Sequence, residues 1–194
     1  MPSQAYREWN TVRARELDEV EAAHAGVGGT GPGRRYATQQ INRAYAVLLA
    51  SQFQGFCRDL HSECVFRLTD SIAMMEVQDA VRADWTSNRQ LNRGNANQGT
   101  IAGDFNRLGL KRLWERIDAL SSRYSRCRSL LELLNLWRNA IAHQDFGDPA
   151  VLGGSVVLRL ATVRRWRRAC HLLARALDRI VRDHVQTATG VRPW

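Results

Sequence analysis

Several features that define common protein classes are scarce in this 194-residue sequence. The four cysteines (Cys57, Cys64, Cys127 and Cys170) form no Cys-x-x-Cys pair, so neither a zinc site nor a disulfide framework is indicated. We expect buried free thiols in a cytoplasmic protein. The longest near-apolar run, Ala44 to Ala50, is far too short to span a bilayer, and no apolar signal segment opens the chain.

Lysine and acidic residues are also scarce. The chain has 28 basic residues against 19 acidic ones, which gives a formal charge of +9 and a pI near 10.4. Lys111 is the single lysine, so arginine carries almost all of the positive charge. Codon bias in a GC-rich genome explains a high ratio of arginine to lysine, but it does not explain the net charge. The net charge favours a polyanionic partner such as nucleic acid.

Strand-like alternation is limited to Ser155–Leu160, whereas apolar residues elsewhere recur at steps of three and four. Residues at this period form one continuous apolar stripe over about Arg35–Arg67 and another from about Thr162 to His184. Thr162 is the predicted N-cap of the second helix. Gly55 within the first stripe allows the close approach of a neighbouring element. The sequence therefore predicts an all-α fold, an up-and-down bundle of about four to six helices with a separate N-terminal helix.

The predicted organisation has three parts. Residues 1–25 form an N-terminal helix rich in acidic side chains, residues 26–33 a Gly-rich linker, and residues 34–194 the helical bundle domain. The Gly-rich segment lacks the Lys-Ser/Thr ending of a phosphate-binding loop and follows no strand. The acidic helix has three alternatives: contact with the basic body of its own chain, binding to another protein, or a loosely held state.

Shorter elements are predicted between the two long helices. A helix covers Met74–Trp85, a turn and a helix occupy 102–121, and a leucine-rich helix runs over about Ser129–Ala142. Residues 86–100 are rich in Asn, Gln and Gly, which is typical of a loop. Structureless loops of this length are uncommon, so the segment is expected to be either mobile or functional, with Arg89 and Arg93 able to lie on a phosphate backbone.

The leucine-rich helix ends in Leu-Trp-Arg-Asn-Ala-Ile-Ala-His, residues 136–143. Helical periodicity places Glu132, Asn135, Asn139 and His143 on one polar stripe of this apolar helix, with Arg138 beside it. A polar stripe on a buried helix is costly unless it is hydrogen-bonded or used. A hydrogen-bonded network or a solvated helix face explains it as well as a catalytic site does.

Spacing alone does not identify a site, because Arg179 and His184 repeat the same interval. His184 lies on the apolar stripe of the last helix and is interpreted as a core or interface histidine. On a regular helix Arg138 and His143 point about 140° apart, which is wide for one monomeric site. Either the helix distorts, or a second copy completes the site across a two-fold axis, with the small Ala140 and Ala142 permitting close approach.

The segment Leu-Trp-Arg-Asn-Ala-Ile-Ala-His-Gln resembles the Arg-x4–6-His motif of the HEPN superfamily, in which Asn, Asp or His commonly follows the arginine. The segment Ala44–Glu63 looks like the long first helix of the HEPN branch found in bacterial conflict systems. The resemblance covers about Arg35 to Val185. That branch often carries an acidic residue in its first core helix, where this chain has Gln52 and Gln54, with Asp59 one turn later. No role is assigned to a first-helix carboxylate.

The resemblance implies a dimeric endoribonuclease that uses neither a metal nor a cofactor and acts as a toxin or defence effector. His143 would be the general base or acid, Arg138 would hold the phosphate, and Asn139 would position the phosphate or orient the histidine. The implied products end in a 2′,3′-cyclic phosphate and a 5′-hydroxyl. Implied partners are RNA, a second copy of the chain and an antitoxin or other neutralising or activating protein.

Arginine clusters surround the candidate site, and each is also explained as a solvated face. The expected RNA-binding residues are Arg126, Arg128, Arg164, Arg165 and Arg168. The sequence leaves two other functions open. One is a non-catalytic HEPN-like module that binds RNA, a nucleotide or a partner protein. The other is a structural dimer in which the polar stripe sets pairing specificity.

Overall fold

The computed structural model describes residues 1–27 and 34–194, and this part of the chain contains helices and no strand. The all-α prediction is confirmed. The helices are α1 (Gln4–Asn10), α2 (Val12–Val27), α3 (Arg34–Thr69), α4 (Met75–Ser87), α5 (Gln98–Arg107), α6 (Leu113–Leu120), α7 (Arg123–His143) and α8 (Leu160–Thr189), with a 3₁₀ turn at Gln90–Asn92. Six of these α-helices, α3 to α8, make up the bundle among the described residues, within the four to six expected, and α1 and α2 form the separate N-terminal part.

The core lies between α3, α7 and α8, the three longest helices. The apolar stripe predicted on α8 is buried from Val163 to Ile180, and Trp166 is fully enclosed. The indole rings of Trp137 on α7 and Trp166 on α8 have centroids 6.2 Å apart. Burial of such large side chains stabilises a domain by about 1.5–3 kcal/mol each, so this contact fixes α7 firmly against α8.

The N-terminal segment is two helices rather than one, because the chain turns at Thr11. The Trp9 ring packs against those of Phe53 and Phe56 on α3, each at 5.8 Å between centroids. The Arg13 guanidinium occupies the space beside Gly55, where an added Cβ would lie 2.5 Å from its Nη1. The close approach expected at Gly55 is therefore confirmed, and α2 is the element that uses it.

Acidic residues of the N-terminal segment pair with arginines of their own chain, the first of the three alternatives. Arg164 lies 2.6 Å from Glu21, and Arg167 lies 2.7 Å from Asp18. At the other end, the Glu63 carboxylate accepts hydrogen bonds from the first backbone N–H groups of α1. These contacts attach α1 and α2 to α3 and α8.

Several predicted boundaries differ from the structure. Helix α8 begins at Leu160, and its N-cap, Arg159, makes no capping side-chain bond, so the N-cap predicted at Thr162 is wrong. Residues 98–107 form helix α5 where a loop end and a turn were expected, because the Asn97 side chain caps α5 by accepting from Thr100 N–H. Gly26 and Val27 belong to α2, and the remainder of the predicted linker, residues 28–33, lies outside the described residues.

All four cysteines are free and buried, as predicted. Burial raises the pKa of Cys64 to about 12 and that of Cys57 well above its ordinary value. These thiols are accordingly packing groups rather than reactive ones. In the described part of the chain, no helix combines the length and the apolar character that crossing a bilayer requires.

The buried imidazole of His61 makes folding sensitive to acid. Its ring packs edge-on against Phe105, with centroids 5.4 Å apart, and burial together with the charge of Arg89 lowers the pKa of His61 to about 3. The unfolded chain binds this proton near pH 6.5. His61 therefore makes its full contribution to the free energy of unfolding above pH 6.5. This contribution is lost as the pH falls from 6.5 toward the pKa of about 3 that His61 has in the folded protein.

We expect the wild type to lose about 2 kcal/mol more unfolding free energy than His61→Gln between pH 8 and pH 5. Glutamine keeps a polar side chain but does not titrate, so the pair of proteins isolates this one group from the carboxylates. Urea unfolding at both pH values measures the difference. Parallel losses in the two proteins would contradict the assignment.

Candidate functional site

The candidate site lies on the last two turns of α7. The helix remains regular through His143 and ends at Gln144, whose left-handed backbone (φ 53°) lets its N–H bond to Ala140 O and Ile141 O. Arg138 is half-buried, while Asn139 and His143 are exposed. The expected alternative of a distorted helix end is therefore wrong, and the wide angle between Arg138 and His143 stands.

The predicted polar stripe divides into two parts. Asn135 is buried and donates from Nδ2 to Ala96 O and Leu131 O, each at 3.1 Å. Glu132 Oε1 accepts from the Gln98 backbone N–H at 2.8 Å. This first half is the hydrogen-bonded network that the sequence left as an alternative. The second half, Asn139 and His143, faces solvent.

Two cavities flank Asn139 and separate the arginine from the histidine. Arg138 and Asn139 line a cavity of about 410 Å³. Asn139 and His143 line a second cavity of about 400 Å³, whose other walls include Leu136 and Phe146. Within one chain Asn139 therefore lines both cavities. Arg138, expected to hold the phosphate, lines the first cavity, and His143, expected to transfer a proton, lines the second.

The segment 88–97 contributes residues 92–95 to the wall of the arginine cavity. Asn95 Nδ2 donates to Asn139 Oδ1 at 2.7 Å, and Arg138 Nη1 donates to the same oxygen at 3.2 Å. Arg93 also lines this cavity and is exposed. Neither Arg93 nor Arg138 forms an ion pair within residues 1–27 and 34–194. Two guanidinium groups without a carboxylate beside them suit an anion such as a phosphate.

A buried carboxylate holds this segment in place. Asp104 on α5 is fully buried and accepts from the backbone N–H groups of Gln90 and Leu91 at 2.8 and 2.9 Å. Arg89 donates to Arg58 O and Ser62 Oγ on α3, each at 2.8 Å. Of the two arginines singled out in this segment, Arg89 therefore anchors it, and Arg93 reaches the cavity.

The three first-helix residues compared with the HEPN pattern lie in different surroundings. Gln54 lines the arginine cavity and donates to Leu91 O and Gly94 O. Gln52 and Asp59 instead bond to Arg13 on α2, at 2.6 and 2.5 Å. A neutral amide thus occupies the only one of these positions that faces the site.

Gln54 and Asn95 were not among the predicted site residues, and Arg93 was expected to lie on a phosphate backbone but not beside Arg138. The unusual Asn, Gln and Gly content of residues 86–100 was the one available signal for Arg93 and Asn95. Their contact with α7 depends on the path of the segment, which local sequence does not encode.

The five arginines expected to bind RNA fall into two groups. Arg128 pairs with Asp118 at 2.5 Å, and Arg164 pairs with Glu21, so a carboxylate of the same chain offsets each charge. Arg126, Arg165 and Arg168 are exposed and form no ion pair in the part of the chain that the structure describes. These three are available to an anionic partner.

His184 has the structural surroundings expected for it. It is half-buried, and its Nε2 lies 3.0 Å from Leu108 O. Burial lowers the pKa of His184. His184 therefore holds α8 to the segment before α6, whereas Arg179 is exposed and does not share this contact.

No cluster of three or more His, Cys, Asp or Glu side chains suited to a metal ion occurs in the described residues. Comparison with known proteins found no matching family model, no similar curated protein and no similar solved structure.

Proposed function

We propose that this protein is a HEPN-like endoribonuclease that cleaves RNA without a metal, as a dimer, and serves as a toxin or defence effector. One observation carries the proposal. Arg138, Asn139 and His143 lie on the last two turns of α7, a helix with one buried face, and the side chains of Asn139 and His143 are exposed. Exposed Asn and His beside an arginine without an ion pair provide hydrogen bonding, proton transfer and a fixed cation.

The chemistry is 2′-hydroxyl transesterification. The ribose 2′-oxygen attacks phosphorus and the bond from phosphorus to the 5′-oxygen breaks, which leaves a 2′,3′-cyclic phosphate and a 5′-hydroxyl. One histidine takes the 2′-hydroxyl proton, and a second histidine gives a proton to the departing 5′-oxygen. Arg138 stabilises charge on the non-bridging oxygens, and Asn139 positions the phosphate from a neutral amide.

Two copies of the chain are needed because one chain contributes a single histidine to this region and directs it away from Arg138. Leu136, which is 41% exposed, lines the histidine cavity together with Phe146 and the exposed Val151, and the small Ala142 lies on the same exposed side of α7. An exposed apolar group of this kind favours burial against a second copy. Two-fold pairing of α7 would place both histidines at one phosphodiester.

Affinity for RNA would come from the excess positive charge. Arg93, Arg126, Arg165 and Arg168 are exposed arginines without an ion pair in the described part of the chain. Contacts of this kind to a phosphate backbone are independent of sequence and weaken steeply with salt.

A second candidate is a non-catalytic RNA-binding module. The observation that favours it is the separation of Arg138 and His143 into two cavities of the monomer. Such a module predicts salt-sensitive RNA binding without any phosphodiester cleavage.

The test is incubation of the purified protein with total RNA in excess EDTA, followed by analysis of the new RNA ends. We expect fragments with a 2′,3′-cyclic phosphate and a 5′-hydroxyl. Arg138→Gln should reduce the rate at least 100-fold, as loss of a charge-stabilising group does elsewhere. Arg15→Gln, the same change at an exposed position of α2, is the matched control and should retain the wild-type rate. Intact RNA under these conditions would favour the non-catalytic module.

A further inference from the structure

A third cavity lies at the opposite end of α7 from the candidate site. Its volume is about 540 Å³, within the range typical of small-molecule sites. Arg123, the first residue of α7, lines it. Because Arg123 precedes His143 by twenty residues of helix, the two positions are about 30 Å apart along the axis. This cavity is therefore a separate place on the molecule.

Four arginines line the cavity, and three of them share one face of α8. Arg175, Arg179 and Arg182 follow at steps of four and three, so their guanidinium groups extend from adjacent turns into the same space. Arg123 approaches from α7. The arrangement places fixed cations on two sides of one opening.

Few carboxylates offset this charge. Arg182 lies 2.8 Å from Asp183, and Arg179 lies 3.9 Å from the same residue. Asp178 is buried and already accepts the Ser3 backbone N–H at 3.0 Å. Arg175 forms no ion pair within the described ranges, and Arg123 contacts the neutral Tyr124.

The remaining walls are partly apolar. Tyr6 of α1, Leu120 of α6 and Ala176 of α8 line the cavity beside the arginines. An aromatic ring and aliphatic side chains offer a surface for a flat heterocycle, and forked guanidinium groups bind phosphate oxygens in pairs. The N-terminal segment closes one side of the cavity. A cavity closed on one side suits a compact ligand better than a polymer, which would have to extend through it.

We propose that this cavity binds a nucleoside di- or triphosphate, with Arg123, Arg175 and Arg179 on the phosphates and the Tyr6 side supporting the base. The proposal is independent of RNA cleavage. A ligand held there contacts α1, α7 and α8 at once, so it ties the N-terminal segment to the bundle and raises the melting temperature.

The test is titration calorimetry with ATP in EDTA at near-physiological ionic strength, on the full chain. We expect Arg175→Gln/Arg179→Gln to weaken ATP binding at least about ten-fold, since each lost charge-assisted contact reduces affinity strongly. The matched control is Arg165→Gln/Arg168→Gln, which removes two exposed arginines from the first turns of α8. This control should change ATP affinity less than about two-fold.

Three results would overturn the proposal. They are the absence of ATP binding by the wild type, an equal loss of affinity in both double variants, and binding of inorganic triphosphate as tight as that of ATP. A fourth result, displacement of ATP by a short RNA whose binding depends more strongly on Arg175 and Arg179, would also overturn it and would reassign the surface to RNA. Loss of RNA cleavage in any variant does not enter this test.

Discussion

His143→Ala is expected to reduce RNA cleavage in EDTA by about 10²- to 10⁴-fold, the usual contribution of a positioned general acid or base. Each dimer would lose both the group that accepts the 2′-hydroxyl proton and the group that protonates the 5′-oxygen. The His143 side chain is exposed and makes no hydrogen bond within the described residues, so its removal leaves packing unchanged. Initial cleavage rates, circular dichroism and sedimentation of the variant measure these three properties.

The matched control is His171→Ala, the same substitution at an exposed position of α8. It should retain the wild-type rate, because His171 lines neither cavity of the candidate site and its ring lies beside that of Tyr6 on α1, with centroids 6.4 Å apart. A His143→Ala protein with wild-type activity would refute the catalytic assignment. Growth arrest by the wild-type gene, if the protein is a toxin, should disappear with the same substitution.

Leu136→Asp is expected to dissociate the proposed dimer and to remove cleavage with it. In the monomer Leu136 is 41% exposed, so the folded chain tolerates aspartate at a cost within about 1 kcal/mol. At a two-fold interface the same change buries two like charges near each other, which weakens association at least about 100-fold. Sedimentation velocity and the EDTA cleavage assay measure both effects on one sample.

Val77→Asp is the control, because Val77 on α4 is similarly exposed at 45% and lies outside the candidate site. It should leave the mass in solution and the cleavage rate unchanged. A Leu136→Asp protein that is monomeric and fully active would contradict the two-chain site.

Mixed dimers of wild-type and His143→Ala chains provide a sharper version of this test. A single shared site needs both histidines, so these mixed dimers should retain far less than half of the wild-type rate. Half of the rate would show that each chain has its own site.

The sequence predicted the helices well where a long apolar stripe repeats, as in α3 and α8, because burial of one helix face imposes a local period of 3.6 residues. It predicted poorly where few side chains establish a period. The start of α8 at Leu160 and helix α5 at Gln98–Arg107 are examples. Helix α5 begins at a local cap by Asn97 inside a segment whose composition resembles a loop, and α8 begins without any capping side chain.

The residues of the candidate site likewise divide into those that the sequence predicted and those that only the structure brought together. Arg138, Asn139 and His143, and the angle between the first and the last, follow from the sequence because they belong to one regular helix. The residues that line the cavity beside Arg138 do not follow from the sequence. Gln54 comes from α3, and Arg93 and Asn95 come from a segment held by Asp104.

By itself the sequence determined the helical class, the basic charge and the position of an Arg-Asn-His group at the end of α7, since composition and helical period are local properties. Only the tertiary structure decided which charges remain available. Arg128 and Arg164 are offset by Asp118 and Glu21, whereas Arg93 and Arg138 share a cavity without a carboxylate. The reason is physical: the pairing of two side chains depends on distance in the folded chain, and residues far apart in sequence set that distance.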